Sequence, residues 1–119
     1  MKICIPTMGD EGLESMVASH FGRAPKFTIV DSDTKDVSII DNTAEHFGGM
    51  STTPELIRSS GVDVMLVSGI GPRAVQLFEQ MGIRVYVGAA GTTSSALDAY
   101  NSGSLQEATD ENVCAEHRR

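Results

Sequence analysis

Residues 61–88, GVDVMLVSGIGPRAVQLFEQMGIRVYVG, limit the possible folds more than any other stretch of the chain. Val62, Val64, Met65, Leu66 and Val67 form a short apolar run, the pattern of a strand buried on both faces. Ser68-Gly69-Ile70-Gly71-Pro72 follows. The glycines allow a sharp turn, and Pro72 suits the first turn of a helix, where its missing N–H has no intrahelical partner to lose. Ala74, Val75, Leu77, Phe78 and Met81 recur at helical spacing, and Gly82 ends the helix. Ile83, Val85 and Val87 then alternate as in a strand. Two buried strands joined by a helix require a right-handed crossover and parallel pairing. The remaining elements must cover that sheet.

They are predicted as follows. Residues 1–6 form a first strand, with Ile3 and Ile5 on one face and Cys4 on the other. Residues 7–19 show no clear period and read as a loop. Residues 26–31 and 37–41 read as two strands around the polar turn Asp31-Ser32-Asp33-Thr34-Lys35-Asp36, an antiparallel hairpin. Residues 42–50 are a loop holding His46. Thr52 and Glu55 fit a capping box, with Pro54 in the first turn, so a helix runs over about residues 54–60. Gly88-Ala89-Ala90-Gly91-Thr92-Thr93 is a second glycine turn entering a helix, capped by Thr92 or Thr93 and stopped at Gly103. The order β-β-β-α-β-α-β-α describes a single-domain α/β fold, a mixed sheet flanked by helices. Residues 1–104 make the domain, and residues 105–119 form a polar, flexible tail.

A chain of 119 residues is long enough for a core without disulfides or metal. Its net charge of −7 opposes nucleic-acid binding, which rests on phosphate neutralisation. No apolar stretch approaches the ~20 residues that span a bilayer. Met1-Lys2 leads only into the short run from Ile3 to Ile5, so no secretory leader is expected. Cytoplasmic location and free thiols at Cys4 and Cys114 follow as expectations.

His20-Phe21-Gly22-Arg23-Ala24-Pro25 is the segment richest in chemistry. Imidazole near neutrality serves as a base or as a ligand to a borderline metal. Arg23 can grip an anion with two parallel N–H groups. A plainer account has Phe21 anchor the loop while His20 and Arg23 are merely solvated. The two glycine turns, Ser68-Gly69-Ile70-Gly71 and the one through Gly91 and Thr92, lie between strand ends and helix starts, where backbone N–H groups hold anions. Neither matches a dinucleotide or P-loop fingerprint, and both are equally served as tight turns and caps. Cys4 and Met8 carry soft sulfur near the end of the first strand, although Cys4 also reads as a small core side chain. His46 is a second candidate ligand. Cys114 and His117 make half of a metal site at most.

The segment Ser19-His20-Phe21-Gly22-Arg23-Ala24-Pro25-Lys26-Phe27 resembles the signature of the dinitrogenase iron–molybdenum cofactor biosynthesis family, the NifX-like domains. The resemblance runs over about residues 1–104. It includes the first strand, residues 42–49, the Gly61-Val62-Asp63 run, the Gly69-Ile70-Gly71 turn and the Gly82-Ile83 junction. It implies an α/β fold with a ribonuclease H-like motif. It also implies a non-catalytic binding and carrier role for an iron–sulfur-type cluster, or for the iron–molybdenum cofactor or its precursor, bound transiently. Under it His20, the histidine of the signature loop, is the leading candidate metal ligand, and Cys4 and His46 stand beside it as further candidate ligands from their residue types and places in the chain. The candidate cofactor-binding groups are His20, Arg23, Gly69, Gly71, Gly91 and Thr92. The partners are metallocluster donor and acceptor proteins, with no nucleic acid and no membrane, and the chain is a monomer or a weak homo-oligomer. Two cysteines exclude a four-cysteine cluster site within one chain. Two other classes compete. One is a phosphate- or nucleotide-handling α/β enzyme that uses the two glycine turns. The other is a two-metal nuclease using acids such as Asp31, Asp41 and Asp63.

Overall fold

Strands dominate the architecture because the apolar runs are short and closely spaced. The computed structural model describes residues 1–42 and 53–108. It contains β1 (Lys2–Thr7), β2 (Lys26–Asp31), β3 (Val37–Asp41), β4 (Val64–Val67), β5 (Arg84–Val87) and β6 (Gln106–Ala108), with helices α1 (Thr53–Ser59), α2 (Pro72–Gln80) and α3 (Thr93–Asn101). One mixed sheet joins the strands in the order β3-β2-β1-β4-β5-β6. β1, β4 and β5 are mutually parallel, while β2 pairs antiparallel with both β1 and β3.

Side-chain alternation along each strand feeds two separate cores. Cys4, Phe27, Ile29, Met65, Val67 and Val85 pack on one face with Ile57 of α1 and with Val75 and Phe78 of α2. Ile3, Ile5, Val30, Val64 and Leu66 pack on the other with Ala96 of α3, joined by Leu97 and Tyr100. All four residues of β4 are buried, as its unbroken apolar run predicts.

The β2–β3 hairpin is closed by its acidic turn. Asp31 Oδ1 accepts the N–H groups of Asp33 at 2.9 Å and Thr34 at 3.2 Å. Those donors, Asp33 first, hold the Asp31 carboxyl below its ordinary pKa.

Two expectations need correction. Residues 7–19 are not featureless: they contain a 3₁₀ turn at Gly12–Glu14 and bridge Thr7 to Val17 and Met16 to Thr92. Gln106–Ala108, read from sequence with the tail, pair antiparallel with β5 as a sixth strand, which extends the element order by one. The expected Thr52–Glu55 capping box involves Thr52, which lies outside the described residues.

Candidate functional site

Parallel pairing brings Thr7, Val67 and Val87, the last residues of β1, β4 and β5, to one end of the sheet. β2 begins at that end, with Lys26 opposite Thr7, and β3 finishes there, with Asp41 opposite Lys26. Beyond β1 the chain goes on to β2; beyond β4 it turns the other way, to β5. The β1–β4 pair is therefore the switch point of the sheet, where open α/β sheets bind ligands outside the carboxyl ends.

The chain fills part of that crevice itself. The β1–β4 ladder comprises Ile3↔Val64 and Cys4↔Met65. Beyond it, residues 16–21 fold back across all three carboxyl ends. Met8 N–H donates to the Met16 carbonyl and Ala18 N–H to the Pro6 carbonyl, both at 2.9 Å. Val17 N–H donates to the Gly91 carbonyl at 2.9 Å, and Phe21 N–H to the Gly69 carbonyl at 3.0 Å.

His20 sits at the end of this bridge, immediately before a 3₁₀ turn at Phe21–Arg23. Phe21 is buried, its ring edge-on to Phe78 and tilted against Phe27. Ser19, His20, Gly22 and Arg23 are exposed. A core anchor thus carries an imidazole and a guanidinium to the surface. The imidazole lies against the β4 exit: His20 Nδ1 is 3.9 Å from where a Cβ on Gly69 would stand.

The two glycine turns differ. The α3 end uses much of its own hydrogen-bonding capacity. Thr92 Oγ1 accepts the Ser95 N–H at 3.1 Å, and Thr93 donates both its N–H and its hydroxyl to the Ser15 carbonyl. The α2 end begins at Gly71, which supplies no side-chain cap, and Pro72 takes the first helical position. The first turn of α2 holds no acidic residue, and the exposed Arg73 lies in it. A cation at the positive end of a helix runs against the macrodipole and leaves this end strongly attractive to an anion.

Cys4 does not join His20. It is 0% exposed, paired in the sheet with Ile29 and Met65, and sits in the α1–α2 core. Burial pushes its thiol far above the ordinary pKa, so it stays protonated and a poor metal ligand. His46, Cys114 and His117 lie outside the described residues. Asp31 and Asp63 stand at the opposite end of the sheet, and Asp41 pairs with Lys26. Among the described residues no group of three or more His, Cys, Asp or Glu side chains is placed to hold a metal ion. The two-metal nuclease chemistry therefore lacks its acid cluster among those residues.

Sequence reasoning missed Met16 and Arg73. Met8 and Met16 are opposite one another across the fold-back, 59% and 54% exposed. No helix among the described residues is long and apolar enough to cross a membrane.

Comparison with known proteins agrees with this fold. The family described as Dinitrogenase iron-molybdenum cofactor matches residues 1–103. An uncharacterized protein of Methanocaldococcus jannaschii is 33% identical over 112 residues, covering 90% of this chain and 91% of the relative. The apo form of the orange protein from Desulfovibrio gigas superposes with a TM-score of 0.81 at 30% identity, covering 90% of this chain and 92% of that one. A Thermotoga protein of the DUF35 family superposes with a TM-score of 0.74 at 30% identity, covering 89% and 91% respectively.

Proposed function

Because the chain belongs to the dinitrogenase iron–molybdenum cofactor family, we propose that it is a non-catalytic carrier. Its cargo is an iron–sulfur-type or iron–molybdenum-type metallocluster or precursor, taken from a donor protein and passed to an acceptor. The observation that carries this reading is the position of His20. Its exposed imidazole is held at the switch point of the sheet, beside the uncapped start of α2.

The donor set fits a guest that brings its own sulfide. His20 supplies one nitrogen ligand, and the only cysteine among the described residues is buried and protonated. One imidazole holds a cluster loosely, as transfer demands. A net-negative cluster also meets a chain of charge −7. Arg23, Arg73 and the first amides of α2 offset that repulsion locally. In this reading Gly69 and Gly71 shape the mouth, while Gly91 and Thr92 act through the fold-back rather than as free donors. The protein works in the cytoplasm without nucleic acid or membrane, as a monomer or weak homo-oligomer.

Anaerobic reconstitution with iron and sulfide quantification tests the reading. Wild-type protein is expected to take up cluster, and His20→Ala to take up several-fold less. An empty wild type, or equal uptake by the variant, would count against it. Turnover of ATP would favour the phosphate-handling alternative, which has lost the Gly91–Thr92 turn as an obvious site.

A further inference from the structure

Gly69 occupies an ordinary backbone region: its φ does not fall in the left-handed range that favours glycine. A side chain is excluded there for lack of space. A Cβ would stand 2.8 Å from the Ser19 carbonyl oxygen, a backbone atom that cannot swing away, and 3.9 Å from His20 Nδ1. The neighbouring Gly71 has nothing within 4 Å of its Cβ position, so the crowding is specific to one glycine of the turn. Gly69 also accepts the Phe21 N–H at 3.0 Å. The peptide units on both sides of His20 therefore rest on this one residue, Ser19 by close packing and Phe21 by a hydrogen bond. The buried Phe21 ring holds the contact from beneath.

We infer that Gly69 is the seat that positions His20, turning the Nδ1 edge of the imidazole toward the β4 exit and presenting Nε2 to a guest. Gly69 is thus a positioning residue, distinct from the backbone-donor role its turn suggests. The guest is that of the proposed function, on which this part of the inference rests; the seat itself is a property of the free protein. An added methyl group would push the Ser19 carbonyl outward, lengthen the Phe21–Gly69 hydrogen bond and let the ring rotate. The same methyl group on Gly71 would enter open space.

The test uses the full chain without cluster, as wild type, Gly69→Ala and Gly71→Ala. In the wild type a nuclear Overhauser contact is expected between His20 Hε1, which adjoins Nδ1, and the Gly69 Hα protons. In Gly69→Ala, amide exchange at Phe21 is expected to accelerate roughly tenfold or more, since local opening no longer breaks a seated bond. Gly71→Ala should match the wild type. Unchanged Phe21 protection in Gly69→Ala would overturn the inference. So would a wild-type ring with Hδ2 rather than Hε1 against Gly69. If Gly69→Ala does not fold, the wild-type contact decides alone. None of these readouts involves cluster uptake, so failure of the carrier reading leaves them intact.

Discussion

Phe21 meets Phe78 edge-on, with ring centroids 5.3 Å apart and planes at 77°. This contact couples the loop that bears His20 to α2, whose start faces the same mouth. Edge-to-face pairs contribute about 0.5–1.5 kcal/mol beyond the area they bury. Phe21→Ala should therefore lower stability by about 3–5 kcal/mol in urea unfolding, as for other buried Phe truncations. Phe21→Leu should cost less and keep the loop docked. A loss below about 1 kcal/mol for the alanine variant would mean that the ring is not the anchor described.

The buried thiol of Cys4 makes a prediction about pH. Its native pKa is raised by burial, so the folded protein keeps the proton that the unfolded chain releases. Below about pH 8.5 both states are protonated and the group contributes nothing to pH dependence. Above that value the unfolded state gains by ionising, and stability falls as pH rises. Denaturation midpoints between pH 7 and 10 should show this decline in wild type and a shallower one in Cys4→Ala. Native Cys4 should also resist iodoacetamide at pH 8 and react once urea unfolds the chain. Ready labelling of the native peptide would contradict the burial.

Thr92 closes the α3 start through Oγ1, which accepts the Ser95 N–H at 3.1 Å. Loss of such a cap costs about 0.5–2 kcal/mol. Thr92→Ala should fall in that range by thermal or urea unfolding, whereas Thr92→Ser should stay near wild type. An alanine variant as stable as wild type would show that the Thr93–Ser15 contacts carry this helix end by themselves.

The parts of the fold that were legible in sequence are those set by neighbours in the chain. β2 and β3 have the ends their composition implies, and α2 starts at Pro72 as expected. β6 was not legible. Gln-Glu-Ala carries no apolar pattern, and only the exposed edge of β5 makes it a strand. The fold-back of residues 16–21 was hidden for a related reason. Its bonds run from backbone to backbone, to Pro6, Gly69 and Gly91, and leave no side-chain mark beyond the glycines themselves. The exposure of His20 and Arg23 was legible because a charged loop around one aromatic anchor is a local pattern. Of the two readings open for Cys4, soft ligand or small core side chain, its strand position rather than its residue type decides that the sulfur is buried.

The exposed methionines of the fold-back give a final measurable consequence. Met8 N–H donates to the Met16 carbonyl, and the two side chains are 59% and 54% exposed, while Met65 is 0% exposed between β1 and β5. Peroxide oxidises a thioether by direct attack on sulfur, so access controls the rate. With dilute hydrogen peroxide, peptides containing Met8 and Met16 should gain an oxygen well before the peptide containing Met65. Early oxidation of Met65 would mean that β4 is open to solvent. If Met16 is protected while Met8 reacts, then the pair is not jointly displayed and the mouth is narrower than the fold-back implies. Met8→Leu with Met16→Leu keeps the apolar volume and removes both sulfurs, so that variant should fold normally and show no early oxidation in the peptides spanning positions 8 and 16. A marked loss of stability in it would indicate that the thioethers pack against something, against their exposure in the fold.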